Sequence, residues 1–261
     1  MIYDLSRLPR ETREQIEQSA HWRKFFSEKP KAMLRLDGNA KTIKGNKKGF
    51  KTAILYLTPA NGSGVNMCAL AALALCADPC LATAGRGAMS NVQMARLRKT
   101  LFWLQFQSEA IAMIKRDIAR HEARCNRDGY TLLVRLNGTS DIRWENYGII
   151  QSFPHITFYD YTKLPNRKNV PPNYDLTFSY SGVSGFQSYV SQAMANGNRI
   201  AVVFRDRAIV DAMLKAGATF NGLPVVDGDD TDIRHLDPQG VIVALYAKGK
   251  AKQDKSGFVV G

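Results

Sequence analysis

The sequence lacks a long apolar run. Its longest candidate, 69–75, is soon followed by Asp78 and Pro79, whereas a helix that crosses a membrane needs about 20 mostly apolar residues. The N-terminus is charged at Asp4 and Arg7, where a signal peptide would have an apolar segment. We therefore expect a cytoplasmic protein without a membrane segment.

Several common active-site motifs are also missing. The stretch SYSGVSG contains no G-x-S-x-G nucleophile elbow, and ANGSG and GRG lack the spacing of a phosphate-binding loop or a dinucleotide fingerprint. These absences argue against a serine hydrolase, an NTPase and a dehydrogenase. No internal repeat or low-complexity linker divides the chain. We expect one domain over 1–261, with a basic, helical extension at 1–50 and a core at 51–250.

Acidic residues are few relative to basic ones. The chain has 36 Lys and Arg against 23 Asp and Glu, a formal net charge of +13. The excess is concentrated at 41–51, 96–99 and 248–255. Because basic tracts bind phosphates and release counterions, the expected partner is a nucleic acid or a charged small molecule. The alternative is a solvated surface that binds neither.

Short apolar runs rich in β-branched and aromatic residues predict seven strands. They lie at 52–57, 131–136, 156–161, 176–180, 200–204, 224–226 and 241–246. A helical pattern over 90–123 separates the first two, and two later helical patterns end at Gly197 and Gly217. Most of the runs are apolar on both faces, which is typical of parallel strands covered by helices. The predicted fold is α/β, with a mostly parallel sheet that forms a partial or complete barrel.

Polar residues follow most of the predicted strands. In parallel α/β folds, the carboxyl ends of the strands meet at one face, where ligands bind. The residues predicted there to bind a charged ligand are Asp141, Asp160, Ser179, Ser181 and Arg205. The segment 227–232 adds four carboxylates, including Asp229 and Asp232, which would bind a divalent cation or an ammonium group. The alternative for this segment is a solvated acidic loop.

Three of the four cysteines, Cys68, Cys76 and Cys80, follow the first predicted strand with the spacing C-x7-C-x3-C. Three thiolates with an open fourth position suit an iron–sulfur cluster better than structural zinc, which prefers four ligands. Cys125 would lie at the opposite end of the strands, ~20 Å away. His235 is far from the three cysteines in the sequence but could approach them in space. The alternative is a buried, Ala-rich helix, but its phase does not align Cys68 with the other two cysteines.

The order of these elements resembles that of radical S-adenosylmethionine enzymes. It comprises a first strand, a three-cysteine loop, a long helix and a second strand that ends in the polar turn NGTSD. The resemblance implies a 4Fe-4S cluster on the three cysteines and S-adenosylmethionine on its open iron. It places Asn137, Gly138 and Thr139 where a turn binds the amino group of that cofactor. The chain departs from the family in its cysteine spacing, since the usual pattern is C-x3-C-x2-C.

A longer resemblance, over 41–252, is to a family of bacteriophage gene products. It is carried by KTAILYLTPANGSGVNMC, CLATAGRG, RLNGTSDIRWE, FYDYTKLPNR, NYDLTFSYSG and DGDDTDIRHLDPQGVIVALYAKGKAK. This resemblance implies a protein that works in the cytoplasm of an infected bacterial cell. We expect an iron–sulfur protein with radical S-adenosylmethionine-like chemistry. The alternative is a non-catalytic basic protein that binds nucleic acid or a host factor and carries a structural metal.

Overall fold

The computed structural model describes residues 1–37 and 40–261. The side chains of residues 40 and 41, and with them the first lysine of the basic tract at 41–51, lie outside the described part. The helices are α1 (Arg10–Gln18), α2 (Ala20–Phe25), α3 (Ala40–Lys44), α4 (Ser90–Gln105), α5 (Gln107–Arg127), α6 (Gln187–Ala195) and α7 (Arg207–Lys215). The strands are β1 (Leu34–Leu36), β2 (Phe50–Leu55), β3 (Thr131–Arg135), β4 (Thr157–Thr162), β5 (Tyr174–Ser179), β6 (Ile200–Phe204), β7 (Thr219–Phe220), β8 (Leu223–Asp227) and β9 (Ile242–Tyr246).

The strands form one nine-stranded sheet in the order β1-β2-β3-β4-β5-β6-β9-β8-β7. β1 and β7 pair antiparallel with their neighbours, and the other pairs are parallel. All seven predicted strands occur, with ends shifted by no more than two residues. Within the described residues the sheet is open at β1 and β7, so the expectation of a complete barrel is wrong.

Alternate side chains of the strands face two different coverings. On one face, Leu132 and Val134 of β3 pack with α4 and α5, and the corresponding residues of β6 and β9 pack with α6 and α7. On the other face, Leu133 packs against Tyr159 and against Ile233, which belongs to the connection between β8 and β9. This connection therefore covers the sheet face that the helices leave open.

The helical pattern predicted over 90–123 is two helices rather than one. At Phe106 the backbone leaves helical geometry, with φ −132° and ψ 50°, between the end of α4 and the start of α5. The Phe106 ring packs edge-on against Tyr3, with centroids 5.8 Å apart. The apolar periodicity continues across the break and therefore conceals it. None of the helices in the described residues combines the length and hydrophobicity needed to cross a bilayer.

The N-terminal residues are part of the core rather than an extension of it. Leu8, Ile16 and Phe26 are buried in the same apolar cluster as α4, α5 and β3. The backbone amide of Met33 donates a 2.6 Å hydrogen bond to the buried Asp117 carboxylate on α5. Residues 1–37 therefore add a strand and a layer of packing to the sheet, while the predicted division at residue 50 stays a prediction.

Candidate functional site

The cysteine loop, residues 56–89, connects β2 to α4. All of it is described, and it consists of turns and two short 3₁₀ helices, at Leu81–Thr83 and Gly85–Ala88. The buried, Ala-rich helix considered as an alternative does not form. Cys68 makes a parallel β-bridge with Asp141, and the buried Ser181 hydroxyl donates a 2.8 Å hydrogen bond to the Ala74 carbonyl. These contacts hold the loop against the segments that follow β3 and β5.

The three cysteines of this loop lie close enough for their charges to interact. Burial raises the pKa of the Cys68 thiol to about 12, and the charges of Cys80 and Cys76 contribute to this rise. Burial also raises the pKa of Cys76 and of Cys80, where the charge of Cys76 adds to the effect. The folded loop therefore brings three half-buried thiols within electrostatic range of one another.

Two of the thiols accept hydrogen bonds from backbone amides of the same loop. The Ala60 amide lies 3.5 Å from Cys68 Sγ, and the Ala82 amide lies 3.5 Å from Cys80 Sγ. Each bond lowers the pKa of its cysteine and would stabilise a thiolate. These amides therefore favour the ionised form of cysteine, which is the form that binds metals.

Lys163 and Asp141 supply charge beside the thiols. Lys163 is buried, and its ammonium donates hydrogen bonds to the carbonyls of Ser179, at 2.9 Å, and Tyr180, at 2.7 Å. Burial lowers its pKa to about 8, while the charges of Cys76 and Asp141 oppose this shift. The Asp141 carboxylate accepts a 2.7 Å hydrogen bond from the Lys163 amide. A cation and a carboxylate thus lie beside the thiols at the carboxyl ends of β3 and β4.

Arg96 on α4 supplies a second cation. Its guanidinium donates to the carbonyls of Ala82, at 3.1 Å, and Gly87, at 3.3 Å, which places it against the segment that carries Cys80. The charge of Arg96 lowers the pKa of that thiol, although burial raises it overall. The sequence interpretation assigned Arg96 only to a basic tract. Its position in the site depends on how the cysteine loop folds back onto α4.

Three predicted ligand residues, Asn137, Gly138 and Thr139, make structural contacts in the turn after β3. The Asn137 side-chain oxygen accepts hydrogen bonds from Ser140, from the Ile142 amide and from the Trp144 indole, each at 2.9 Å. Thr139 donates its hydroxyl proton to the Leu57 carbonyl. At Gly138, an added Cβ would lie 2.7 Å from the Leu55 carbonyl oxygen. Asn137 therefore holds the turn together internally, whereas Gly138 and Thr139 fit the turn against the end of β2 and the residues that follow it.

Other predicted residues contact protein groups away from the thiols. Asp160 is fully buried and accepts hydrogen bonds from the Leu136 and Asn137 amides, at 3.1 and 3.0 Å. Burial raises its pKa to about 6. Arg205 donates a 3.0 Å hydrogen bond to the carbonyl of the terminal Gly261. Of the predicted strand-end residues, the structure brings Asp141 beside the thiols, together with the Ser179 carbonyl and the Ser181 hydroxyl that holds the loop.

The carboxylates of 227–232 are paired with protein cations. These pairs are Asp227 with Arg207, Asp229 with Lys248, Asp230 with Lys48 and Asp232 with Arg135. The segment is therefore neither a free cation site nor a simply solvated loop. Two lysines of the predicted basic tracts, Lys48 and Lys248, are used for this neutralisation.

Cys125 and His235, the other two residues considered as metal ligands, lie away from the cysteine loop. Cys125 is buried near the end of α5, and its backbone carbonyl accepts a hydrogen bond from the Tyr130 amide just before β3, as predicted. The His235 ring packs edge-on against Phe50 at the start of β2, with centroids 5.7 Å apart. Both therefore belong to the amino ends of the strands. Across residues 1–37 and 40–261, no group of three or more His, Cys, Asp or Glu side chains is arranged to hold a metal ion, and this includes the three cysteines of the loop.

A cavity of about 170 Å³ lies next to this region, lined in part by Thr162, Arg167 and Phe178. The Thr162 hydroxyl donates a 2.8 Å hydrogen bond to Asp141, and the Arg167 guanidinium lies 3.9 Å from the same carboxylate. Asp141 therefore links the wall of this cavity to the cysteine loop. Sequence reasoning missed Arg167, which follows β4 by five residues and contacts the segment after β3.

Comparison with known proteins identifies the family. No curated protein and no solved structure matches the chain. The model of the Gene product 88 family matches residues 32–261, which include all strands of the sheet and every residue of the candidate site. This match confirms the resemblance to a family of gene products and leaves the resemblance to radical S-adenosylmethionine enzymes as a prediction. The chain belongs to the Gene product 88 family.

Proposed function

We propose that this protein binds a 4Fe-4S cluster through Cys68, Cys76 and Cys80 at the carboxyl ends of the parallel strands. The observation that supports the proposal is that three thiols of one loop lie within electrostatic range of one another, although in the described residues they are not arranged to hold a metal ion. Cys125 lies at the other end of the strands. The donor set is therefore three cysteines, which leaves one iron of such a cluster open to another ligand.

The chemistry of the donors suits a cluster. Sulfur ligands of a single zinc ion lie about 4 Å apart, because Zn–S bonds of about 2.3 Å meet at a tetrahedral angle. A cluster places its cysteines on separate irons and so spreads its ligand sulfurs more widely. When bound, a 4Fe-4S cluster supplies one-electron transfer and an open iron that accepts a small ligand.

The surrounding residues would tune such a site. The amides of Ala60 and Ala82 donate to two of the sulfurs, and hydrogen bonds to ligand sulfurs are one of the means by which proteins set a reduction potential. Lys163 and Arg96 place positive charge near Cys76 and Cys80, which offsets the negative charge of bound thiolates. Binding would release the thiol protons, since only thiolates are ligands.

The proposal extends to the resemblance to radical S-adenosylmethionine enzymes, in which the open iron would bind that cofactor. In its favour, strands β2 to β6 follow one another in the sheet without reversal, as in a segment of a barrel. Against the predicted cofactor positions, Asn137 and Asp160 use their polar atoms for internal hydrogen bonds. We therefore propose the cluster as the function and S-adenosylmethionine as the first ligand to test at the open iron.

The test is a panel of four Cys→Ala variants, purified anaerobically and reconstituted with iron and sulfide. We expect visible absorption from the cluster in the wild type and in Cys125→Ala, and its loss in Cys68→Ala, Cys76→Ala and Cys80→Ala. Cys125→Ala is the matched control, because it removes a buried thiol from the opposite end of the strands. Equal absorption in all four variants, or stoichiometric zinc in place of iron, would overturn the proposal.

A further inference from the structure

The predicted basic tracts are largely used inside the protein. Arg98 stacks on Phe25, with its guanidinium carbon 3.6 Å from the ring centroid, and donates to the Phe25 carbonyl. Lys99 donates a 2.7 Å hydrogen bond to the Met33 carbonyl. Lys48 and Lys248 pair with the carboxylates of 227–232. Part of the net charge of +13 therefore comes from exposed basic residues outside these tracts.

One such place is the outer face of α5. Four arginines, Arg116, Arg120, Arg124 and Arg127, are exposed there. At 100° per residue they fall within an arc of about 80°, and at 1.5 Å per residue they extend over about 16 Å. The exposed fractions of the Arg120, Arg124 and Arg127 side chains are 57%, 59% and 74%. We call these four residues the arginine face.

On one side of this arc the helix carries small side chains. Ala123 and Ala119 are exposed and lie about 20° and about 60° outside the arc. Glu122 lies on the flank of α5 and contacts His155. A rigid, extended polyanion could therefore approach the helix closely along this stretch, where the neighbouring carboxylates are the buried Asp117 and, at the end of the helix, Asp128.

The acidic groups near the arginine face do not neutralise it. Asp117 contacts Arg120 but is buried, and it also accepts hydrogen bonds from the Met33 and Leu34 amides. At the end of the helix, the single carboxylate of Asp128 is shared by Arg124, Arg127 and Lys51. Four arginines and a lysine thus share two carboxylates, and the face retains net positive charge.

We infer that the arginine face of α5 binds the phosphate backbone of a nucleic acid. Arginine is suited to this because its planar guanidinium donates two parallel hydrogen bonds to phosphate oxygens. The arc of the arginines contains no Asn or Gln, because the exposed Asn126 lies about 80° outside it, so the face would contact the backbone and not read base edges. This inference is independent of the cluster, which lies at the carboxyl ends of the strands.

A structural role for these arginines is the competing explanation. Arginine and alanine both favour helices, and cations near a helix C-terminus interact favourably with its dipole. That role affects the melting temperature but not binding. The two explanations therefore separate when binding and stability are measured on the same variants.

The experiment measures the anisotropy of short fluorescein-labelled DNA duplex, DNA single-strand and RNA hairpin probes over a range of salt concentrations. The test variant carries Arg116→Gln, Arg120→Gln and Arg124→Gln, since glutamine retains helix propensity. The control carries Lys250→Gln, Lys252→Gln and Lys255→Gln, which removes the same charge from three exposed lysines of the C-terminal tract. A third variant replaces the same three arginines by lysine.

We expect the arginine-face variant to bind about tenfold or more weakly. The slope of log K against log salt should flatten by about 3, because each arginine that no longer binds a phosphate reduces it by about 1. The lysine control should keep the slope of the wild type, and the Arg→Lys variant should retain most of the binding. The probe bound most tightly identifies the nucleic acid. If the glutamine variant unfolds, Arg116→Gln alone should flatten the slope by about 1.

Two results would overturn the inference. One is a wild type that binds none of the three probes at low salt. The other is an equal loss of binding in the arginine-face variant and the lysine control, which would mean that net charge alone, and not this face, attracts the polyanion.

Discussion

Cys68 and Asp141 face each other in an isolated parallel β-bridge that joins the cysteine loop to the turn after β3. The Asp141 amide donates a 2.9 Å hydrogen bond to the Met67 carbonyl, while its carboxylate binds the Lys163 amide. One residue therefore connects the loop that carries the thiols to two strand ends. The position of the proposed ligands depends on this connection.

Asp141→Asn tests the connection. Both carboxylate oxygens accept hydrogen bonds, from Thr162 and from the Lys163 amide, and the NH₂ of asparagine cannot accept one. We expect a loss of about 1–3 kcal/mol in the free energy of unfolding and a lower iron content after reconstitution. Urea unfolding of the metal-free protein measures the first effect. Asp230→Asn, which removes an exposed partner of Lys48, should change stability by less than about 0.5 kcal/mol.

Gly138→Ala separates a structural role for this glycine from cofactor binding. The new methyl group would lie 2.7 Å from the Leu55 carbonyl oxygen and 2.7 Å from Ile54 Cγ2, so β2 and the turn must separate. Overpacking of this kind costs about 1–3 kcal/mol, and thermal unfolding should record it in the absence of any ligand. The control is Gly185→Ala, where the nearest atom within 4 Å of the new Cβ is Leu73 Cδ1 at 3.7 Å. If Gly138→Ala is as stable as wild type, the close approach of the Leu55 carbonyl does not account for the presence of glycine at position 138.

Glu145→Gln tests the buried ion pair next to Asp141. Arg167 and Glu145 form a salt bridge with side chains 2% and 1% exposed, and removing the Glu145 charge leaves the buried Arg167 with only the more distant Asp141 carboxylate, at 3.9 Å. We expect a loss of about 3–5 kcal/mol, measured by urea unfolding. Glu14→Gln breaks an exposed pair with Arg10, whose side chains are 41% and 83% exposed, and should cost no more than about 0.5 kcal/mol. Similar losses in the two variants would contradict this account of the pair.

Lys99 makes stability depend on pH. Burial lowers its pKa to about 8, whereas an unfolded lysine titrates near about 10.4. The cost of keeping its charge in the folded state is fully present below about pH 8 and disappears as the pH rises toward about 10.4, so the contribution of Lys99 to stability rises over this range.

In Lys99→Met this contribution is absent. The free energy of unfolding of wild type minus that of the variant should therefore rise by on the order of 2 kcal/mol between about pH 8 and pH 10. Urea titrations at several pH values in this interval measure the difference. The subtraction removes the effect of the cysteines, whose raised pKa values act in the opposite direction. A difference that stays constant with pH would contradict the lowered pKa.

The strands could be read from the sequence because most of them are apolar on both faces. Runs such as 200–204 have few alternatives to a buried parallel strand, and β6 has these bounds. β1 and β7 were missed because they have three and two residues, too few for a periodic pattern. Openness of the sheet was not predictable, since β9 inserts between β6 and β8 without any local signal in the sequence.

The candidate site was predictable to the level of the loop but not of the individual ligand. Three cysteines after a strand predicted a site at the carboxyl ends of the strands, and the loop that carries them lies there. Asn137 follows β3 and Asp160 lies within β4, but the side chains of both bind groups of the turn after β3, which sequence order does not reveal. Lys163 enters the site because its side chain reaches the carbonyls of Ser179 and Tyr180 at the end of β5, and this contact depends on β4 and β5 being neighbours in the sheet.

The most direct measurement of the central proposal is the iron and acid-labile sulfide content of the anaerobically purified wild type, compared with Cys76→Ala and Cys125→Ala. The proposal predicts about four irons and about four sulfides per chain in the wild type and in Cys125→Ala, and a loss of both in Cys76→Ala. An iron-free wild type after reconstitution, or one whose iron content is unchanged by Cys76→Ala, would contradict it.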